Sequence, residues 1–516
     1  MLNPFGSPQI TATPLVTELS LRGCQSPLAL LQELRRSSEP RGATLLETAD
    51  RGMRETACCR SIVITRPLLR LELREGRFAV TALAAGMEEV SAELQRKLRA
   101  PSPRADESVS DRERILQPTF LDGLRATAGL LADNRPTPVA PGIFGAIAYE
   151  AVDAFETLPP RKPDPAGDPD VSFVLSGDVV IFDELRGSAS VVTRGLPWES
   201  ARGARERHEA CLALLRDPAP EPSLPSAGSR AAVSSTNDVS EAEFKDRVSA
   251  FRDRIMAGDI FQGVLSRSFE VASDADPLAV YAALRQTNPS PHMFFMELSD
   301  GELLGASPET FLRVENGIVE VNPIAGTVPR GRRTDGALDE DLDNRLALSL
   351  LLDRKEQAEH AMLLDLARND LARVSDPGSV SVVRQFDVEK YSHVQHLVSC
   401  VRGKLRSGLD ALHAYRAVAN MGTLTGAPKI LAMELIRETE STGRGFYGGA
   451  AGYLLQDGTL DTCIIIRTLR RKAGTYFTRA GAGIVWDSRP EAEFAEVGHK
   501  ARACLEAIAS AAGRCP

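Results

Sequence analysis

An Asn-Gly pair between two runs of alternating apolar residues is the feature that most constrains how this chain folds. Asn316 and Gly317 separate residues 311–315 from residues 318–321. Because both tolerate the positive φ angles of a two-residue turn, the pair predicts an antiparallel β-hairpin. The second strand leads into residues 323–327, Pro-Ile-Ala-Gly-Thr, where a glycine beside a hydroxyl leaves backbone N–H groups able to face an anion. The sequence thus predicts a hairpin that ends at an anion-binding turn.

Length and composition exclude several classes of protein. A chain of 516 residues with 25% charged and 43% hydrophobic residues is typical of globular proteins with about two or three domains. The net charge of −9, without a basic patch among aromatics, argues against a nucleic-acid partner. No apolar run has the length of a bilayer span, and the N-terminus has no signal-peptide pattern, so we expect no membrane segment. The eight cysteines lack metal-ligand spacing and predict free thiols and a cytoplasmic location; adjacent Cys58 and Cys59 are interpreted as ordinary thiols.

The secondary-structure pattern mixes α and β without a regular βαβ alternation, so we predict an α+β fold of packed antiparallel sheets with flanking helices. Residues 217–239, rich in Pro, Ser, Ala and Gly, predict a linker between a domain of residues 1–216 and one of residues 240–508. Helices are expected to start at Ser240-Glu-Ala-Glu, at Pro277 and at Ser488-Arg-Pro-Glu, and a long amphipathic helix is expected over residues 339–374. Strands are expected over residues 171–182, 189–192, 261–271, 293–298, 449–455, 459–468 and 474–483.

Two pairs of glutamates three residues apart suggest a metal site. Glu356 and Glu359 share one face of the long helix, and Glu493 and Glu496 share one face of the last helix. Two helices with this spacing could direct four carboxylates to one point, and oxygen ligands of this kind suit Mg²⁺. The patterning alone equally describes two solvated acidic faces.

Several segments resemble motifs of the chorismate-utilising enzymes. Residues 323–327 match the family's Pro-Ile-x-Gly-Thr signature, and residues 422–429, Gly-Thr-Leu-Thr-Gly-Ala-Pro-Lys, match another motif in full. Residues 447–453 and 481–483 match further segments. Ala325 stands where aminodeoxychorismate synthases of the family look to carry a nucleophilic lysine. In having alanine at this position the chain resembles the large subunits of anthranilate synthase. The resemblance implies the family's two-part architecture, with the active site in the cleft between packed sheets and residues 240–508 as the catalytic domain.

The resemblance also implies roles for individual residues. Catalytic roles fall to Glu309, as general acid, and to His396, Gln262 and Thr423. Substrate contacts fall to Gly326, Thr327, Tyr447, Arg467, Gly481, Ala482, Gly483 and Lys500, with Thr423 among the groups that hold the two carboxylates. Mg²⁺ would be held by Glu356, Glu359, Glu493 and Glu496. Gln262 occupies the position where isochorismate and salicylate synthases look to carry a water-activating lysine, and an amide cannot act as that base.

Most of these residues have a structural interpretation as well. An arginine after three isoleucines could belong to a buried ion pair rather than to an anion site. A histidine is often structural, and His393 is a rival to His396. Residues 422–429 could simply start a helix.

An N-terminal element resembles the tryptophan sensor of anthranilate synthases. Residues 45–48, Leu-Leu-Glu-Thr, are similar to the family's Leu-Leu-Glu-Ser, and residues 288–293, Asn-Pro-Ser-Pro-His-Met, to its Asn-Pro-Ser-Pro-Tyr-Met. His292 replaces the usual tyrosine. The resemblance implies a tryptophan site made of Glu47, Thr48, Arg60, Pro291, His292, Met293, Gly452 and Tyr453. Ordinary packing between domains is the alternative.

The function implied by the resemblance is that of the anthranilate synthase large subunit, which makes anthranilate and pyruvate from chorismate and ammonia in tryptophan biosynthesis. No cysteine lies in a glutaminase nucleophile turn, so ammonia would come from a glutamine amidotransferase partner, in a heterotetramer, or from solution. Three rivals remain: a 2-amino-2-deoxyisochorismate synthase, an isochorismate or salicylate synthase, disfavoured by Gln262, and a non-catalytic chorismate- or tryptophan-binding regulator. The last has no need for four metal-facing acids.

Overall fold

The computed structural model describes residues 9–22, 24–36, 42–49, 60–99, 108–217, 221 and 234–512. Cys58, Cys59 and most of the predicted linker lie outside these residues. No helix of the described part of the chain is both long enough and apolar enough to cross a membrane.

Strands make up much of the described chain. In order they are β1 Ile10–Ser20, β2 Thr44–Glu47, β3 Arg60–Arg74, β4 Arg77–Ala82, β5 Leu131–Asp133, β6 Gly142–Ile147, β7 Val171–Asp183, β8 Ser188–Gly195, β9 Thr236–Asn237, β10 Gln262–Ala272, β11 His292–Leu298, β12 Gly301–Ser307, β13 Thr310–Glu315, β14 Ile318–Val321, β15 Ile324–Pro329, β16 Ser381–Lys390, β17 Val394–Lys404, β18 Gly426–Ala427, β19 Ala450–Leu455, β20 Leu460–Ile464, β21 Thr468–Lys472 and β22 Thr475–Ile484.

The helices flank these strands. In order they are α1 Pro27–Arg36, α2 Glu88–Lys97, α3 Asp111–Arg114, α4 Leu121–Ala128, α5 Ala201–Arg216, α6 Glu241–Met256, α7 Pro277–Thr287, α8 Glu340–Leu352, α9 Arg354–Ala372, α10 Ala411–Val418, α11 Lys429–Thr439 and α12 Pro490–Ala512, with a 3₁₀ turn at Tyr149–Ala154.

The sheet topology confirms the predicted α+β class. Among the described residues only β1 and β5 pair in parallel, and the other ladders, such as β3 with β7 and β10 with β22, are antiparallel. The Asn-Gly hairpin forms as predicted: β13 pairs with β14, and Asn316 and Gly317 have φ angles of 52° and 75°. Apolar faces of α7 and α12 pack in one core cluster with β11 and β12.

The two halves of the chain share hydrogen-bonded strands. β2 pairs with β11, and β6 pairs with β19, so strands from before residue 217 extend a sheet built by the later residues. These ladders join the two segments in one sheet, so the division into two domains at residues 217–239 stays a prediction.

Three local predictions were wrong. The helix expected over residues 339–374 is two helices, because Asp353 leaves helical geometry, with a ψ of 112°, and caps α9 by accepting N–H groups from Lys355 and Glu356. The strand expected over residues 459–468 breaks at Arg467, which has a φ of 52°. Ser488 does not form the expected box with Glu491; its hydroxyl accepts the Val485 N–H at 3.1 Å. The capping box at Ser240 and Glu243 is confirmed.

Candidate active site

Gly326 brings a helix carboxylate against the strand of the Pro-Ile-Ala-Gly-Thr turn. β15 pairs with β17, with Thr327 opposite His396, and the register shifts between Ala325 and Thr327. Gly326 sits in this bulge with a φ of +67°, and a Cβ there would lie 2.8 Å from Oε2 of Glu356. Both the backbone angle and the close carboxylate therefore require glycine.

His396 is held in one tautomer by the same bulge. Its Nδ1 lies 3.0 Å from the Gly326 carbonyl oxygen and 3.1 Å from Thr327 Oγ1. A carbonyl can only accept, so Nδ1 carries the proton and Nε2 is left unprotonated in the neutral ring. Burial lowers the pKa of His396, and the charges of Arg467 and Lys500 lower it further. His396 is therefore neutral at pH 7, whereas its sequence rival His393 is exposed and bonds Ser392.

Glu309 is a buried carboxyl that the protein leaves incompletely satisfied. It follows β12, where its backbone N–H donates to Ser307 Oγ. Burial raises the pKa of Glu309 to about 8, opposed in part by the neighbouring Thr423 hydroxyl and by the charge of Lys500. Glu309 Oε1 and Thr423 Oγ1 are both buried without a completed hydrogen bond. At pH 7 this carboxyl is protonated and able to donate to a ligand.

The four glutamates of α9 and α12 influence one another across the gap between the helices. Burial raises the pKa of Glu359 to about 7, and the charges of Glu356, Asp487 and Glu493 raise it further. The pKa of Glu356 is raised by burial, with smaller contributions from Asp353 and Glu496. No group of three potential ligands among the described residues is already gathered closely enough to hold a metal ion. Glu496 instead pairs with Lys500 at 2.8 Å, so the donors share one region without forming a closed cage.

Positive and hydroxyl groups line the same region. Lys500 Nζ donates to the Gly481 carbonyl at 3.0 Å. A Cβ at Gly481 would lie 2.8 Å from the Tyr447 hydroxyl. Arg467 forms no ion pair with a carboxylate of the described residues, so the structural ion pair considered from sequence is absent there; burial lowers its pKa, and Tyr447 and Glu496 oppose that shift. Arg467, without a carboxylate partner among the described residues, suits an anionic ligand, and Lys500, although paired with Glu496, adds positive charge to the same region.

Gln262 lies across the β10–β22 ladder from the glycine segment. Gly263 pairs with Ile484 and Leu265 with Ala482, and a Cβ at Gly483 would lie 2.6 Å from Gln262 Nε2. The Gln262 Oε1 atom is buried without a hydrogen-bond partner. Contacts link residues that the resemblance gives catalytic, substrate and metal roles: Gly326 lies beside Glu356 and His396, Lys500 beside Glu496 and Gly481, and Glu309 beside Thr423. The region that these residues share is called the cleft.

A second concavity, of about 610 Å³, lies between the two halves of the chain. All eight residues of the predicted tryptophan site line it: Glu47, Thr48, Arg60, Pro291, His292, Met293, Gly452 and Tyr453. It depends on the β2–β11 and β6–β19 ladders. The same segment that carries Tyr447 in the cleft continues into Gly452 and Tyr453 at this cavity.

Glu47, expected to contact the ammonium group of tryptophan, already has partners within the protein. Arg285 pairs with its carboxylate at 2.9 Å, and the Tyr281 hydroxyl donates to it at 2.6 Å. Asp461 also lines the cavity, and it forms no ion pair or hydrogen bond with another described side chain. Sequence reasoning missed Asp461, although the two-residue period of β20 places it on the same face as Cys463, another lining residue.

Known proteins resemble this chain over most of its length. The family of chorismate binding enzymes matches the chain over residues 87–506. The anthranilate synthase component 1 of Salmonella typhimurium is 44% identical over 84% of this chain and 82% of its own length, and that of Buchnera aphidicola is 38% identical over 90% and 92%.

Solved structures show the same fold. The anthranilate synthase component I of Streptococcus pneumoniae TIGR4 matches with a TM-score of 0.72 and 31% identity over 88% of this chain and 94% of that one. The menaquinone-specific isochorismate synthase of Escherichia coli matches with a TM-score of 0.66 and 18% identity over 98% and 97%, a likeness of fold alone. The chain belongs to the chorismate binding enzymes. Within that family it falls among the anthranilate synthase component 1 chains.

Proposed function

We propose that this chain converts chorismate and ammonia into anthranilate and pyruvate as the large subunit of an anthranilate synthase. The observation that carries the proposal is the buried Glu309 carboxyl, which is protonated at pH 7 and faces the unsatisfied hydroxyl of Thr423. A general acid needs a pKa near the working pH, and burial provides it here. The similarity to component 1 enzymes supplies the substrate class.

The first step is amination of the chorismate ring. Arg467, Tyr447, Lys500 and the backbone of Gly326 and Gly481–Gly483 bind the two substrate carboxylates and orient the ring. Glu309 gives its proton to the departing hydroxyl, which leaves as water while ammonia adds to the ring. The product is 2-amino-2-deoxyisochorismate. Positioning in a partly dehydrated cleft lowers the barrier for this step.

The second step is loss of pyruvate. The neutral His396 ring holds its proton on Nδ1 through the Gly326 carbonyl, so Nε2 is the atom available to accept the ring proton as the enolpyruvyl group departs. Aromatisation gives anthranilate. A chain without this base would stop at the amino intermediate, which separates this proposal from its nearest rival.

Glu356, Glu359, Glu493 and Glu496 would hold Mg²⁺. The fit rests on carboxylates of α9 and α12 that lie close enough for their charges to act on one another: beyond the effect of burial, Glu493 raises the pKa of Glu359 and Glu496 raises that of Glu356. A divalent cation would relieve this repulsion. When bound, the ion would neutralise one chorismate carboxylate.

Two residues argue against neighbouring chemistries. The side chain of Gln262 lies beside Gly483. Its amide cannot activate water as the lysine of isochorismate and salicylate synthases would. Ala325 lacks the nucleophilic amine of an aminodeoxychorismate synthase. Ammonia, and not water or an enzyme lysine, is therefore the nucleophile of the proposal.

The partner of the chain would be a glutamine amidotransferase subunit, in a heterotetramer that acts in the cytoplasm. The component 1 names of the relatives support a second component, and the free cysteines Cys24, Cys211, Cys400, Cys463 and Cys504 suit a reducing compartment. The pure chain would use ammonium but not glutamine.

Tryptophan would bind in the 610 Å³ cavity and inhibit the enzyme. The cavity combines apolar contacts from Pro291 and Met293 with the carboxylate of Asp461, a combination that suits an amino acid with a large side chain. A ligand there would shift activity only if it binds two states of the Tyr447–Tyr453 segment unequally.

One assay tests the enzymatic proposal. The pure chain is incubated with chorismate, Mg²⁺ and ammonium at mildly alkaline pH while anthranilate fluorescence and pyruvate are followed. Equal amounts of both products support it. Pyruvate without anthranilate would indicate a salicylate synthase. Accumulation of 2-amino-2-deoxyisochorismate alone would indicate a 2-amino-2-deoxyisochorismate synthase. Chorismate binding without turnover would indicate a non-catalytic regulator.

A further inference from the structure

A buried carboxylate, Glu440, collects more donors than any ordinary ion pair requires. It follows α11 and is 3% exposed. Its two oxygens accept hydrogen bonds from Arg444 Nε and Nη2 at 2.9 and 2.7 Å. They also accept from Arg479 Nη1 at 3.1 Å and from the backbone and hydroxyl of Ser266 at 2.8 and 2.7 Å. The carboxylate is thus fixed in place by groups from three separate elements.

Arg444 uses its remaining donors on the segments that carry the proposed site. Its Nη1 donates to the Leu424 carbonyl at 2.7 Å, and its Nη2 donates to the Val264 carbonyl at 2.8 Å. Its guanidinium carbon lies 5.7 Å from the centre of the Tyr447 ring. Leu424 directly follows Thr423, and Val264 pairs with Gly483 in the β10–β22 ladder.

The geometry of a guanidinium explains what this contact does. Its donors lie in one plane at fixed angles, so carbonyls bonded to different nitrogens of one group are held at a fixed separation. Here the fixed separation joins the Thr423 turn to the strand that starts at Gln262. An ammonium on a flexible stem cannot reproduce both bonds together with the two bonds to Glu440.

We propose that Arg444, held by Glu440, is a positioning residue that sets the spacing of the Thr423 turn, the start of β10 and Tyr447 around chorismate. Arg444 does not touch the substrate; it acts through the backbone of Leu424 and Val264. This inference rests on the proposed function for the identity of the ligand.

The test compares two buried arginines next to α11. Arg444→Lys removes the fork at the cleft. Arg437→Lys is the matched control, because Arg437 is 8% exposed and donates to Asp153 at 2.7 Å and to the Pro159 carbonyl at 3.0 Å, away from the cleft. Arg437 donates through Nη1 alone, so Arg437→Lys removes a buried guanidinium but no two-nitrogen fork. Both variants should lower the melting temperature.

Of the two variants, only Arg444→Lys should weaken the binding of chorismate. We expect its dissociation constant, measured by calorimetry without ammonium, and its KM to rise about ten-fold or more, since small displacements of binding groups carry costs of that order. Arg437→Lys should leave the dissociation constant within about two-fold of wild type, because its partners Asp153 and Pro159 are not part of the cleft. Equal weakening in both variants, or none in Arg444→Lys, would overturn the proposal.

A milder variant covers the case in which Arg444→Lys does not fold. Ser266→Ala removes one donor from Glu440 without leaving a charge unpaired, because Arg444 and Arg479 still contact the carboxylate. It should raise the chorismate dissociation constant about three-fold, the effect of weakening one of the hydrogen bonds that hold the carboxylate. An unchanged constant in folded Ser266→Ala would count against the proposal. If wild type itself fails to bind chorismate, the proposed function is wrong and not this inference alone.

Discussion

The cleft and the 610 Å³ cavity treat their polar groups differently. In the cleft, Gln262 Oε1 is buried without a hydrogen-bond partner, and Glu309 Oε1 and Thr423 Oγ1 lie together without a hydrogen bond of good geometry. In the cavity, the first carboxylate found from sequence, Glu47, is already paired with Arg285. A ligand in the cleft could therefore form hydrogen bonds with polar groups that the protein leaves without good partners. In the cavity, the protein itself already pairs one of the carboxylates.

The two regions also differ in the parts of the chain that build them. The cleft residues identified here lie between positions 262 and 500, within one segment. The cavity needs β2 and β6 from the N-terminal segment to pair with β11 and β19. A ligand in the cavity would therefore stabilise the contact between segments, whereas a ligand in the cleft would stabilise one segment's own arrangement.

The largest expected effect comes from removing the carboxyl proton of Glu309. Glu309→Gln keeps the shape and donates no proton to a leaving group, so kcat for amination should fall about 10²- to 10⁴-fold. Chorismate binding should be nearly retained, because the wild-type group is already neutral at pH 7. Anthranilate fluorescence and calorimetry measure the two quantities. A variant with wild-type kcat would remove Glu309 from the chemistry.

Metal dependence is the second test of the cleft. Excess EDTA should abolish turnover and Mg²⁺ should restore it, and Glu359→Gln or Glu496→Gln should cost about 10²-fold in activity, an upper value for losing support of a metal site. The control is Glu491→Gln in α12, because that side chain is 73% exposed. Full activity in chelator, or equal losses in the control, would leave the solvated acidic faces as the better interpretation.

The two chemical steps should separate in His396→Met. Loss of the Nε2 base should slow pyruvate elimination more than amination, by about ten-fold or more for a displaced general base. 2-Amino-2-deoxyisochorismate should then accumulate and be visible by chromatography. His393→Met, at an exposed position, should behave as wild type. Slower anthranilate formation without the intermediate would instead assign His396 to binding or to the first step.

Local signals in the sequence were enough for the hairpin and for the capping box at Ser240, whereas the register shift beside Gly326 was not predicted. The hairpin and the capping box each depend on backbone preferences within a few residues. The break at Asp353 was missed because apolar periodicity continues through it, although aspartate is a preferred N-cap residue. A single residue in left-handed geometry at Arg467 likewise left no mark on the strand pattern.

Long-range pairing could not be predicted from the sequence without the family resemblance. Glu47 meets Tyr281 and Arg285, more than 230 residues away in the chain, and no spacing rule connects them. The same holds for Glu440 with Ser266. The cleft was located through motifs, but the partners that fix its electrostatics come from the fold.

The pH dependence of stability offers a smaller effect with a definite sign. The pKa of Glu309 is about 8 in the folded chain, against the ordinary value of 4.5 for a glutamate side chain. The folded state thus keeps a proton that the unfolded state has lost, so stability falls as pH rises from about 4.5 to about 8. Glu309→Gln has no such proton. Its melting temperature relative to wild type should rise across this window and level off above it.

The smallest effect on uninhibited turnover is expected in the cavity. Thr48→Phe should fill the cavity and weaken tryptophan inhibition about ten-fold or more, the cost of excluding a ligand's large side chain, while the rate without tryptophan changes little.

Because Glu47 is engaged by Arg285, Asp461→Asn should weaken tryptophan inhibition more than Glu47→Gln does, and His292→Tyr should keep or strengthen it. Inhibition constants from chorismate titrations at several tryptophan concentrations measure this order. If millimolar tryptophan, on the order of the weakest useful binding, leaves the wild-type rate and chorismate affinity unchanged, the cavity is not a tryptophan site. A larger effect of Glu47→Gln would return the ammonium contact to Glu47 and show that the Arg285 pair opens on binding.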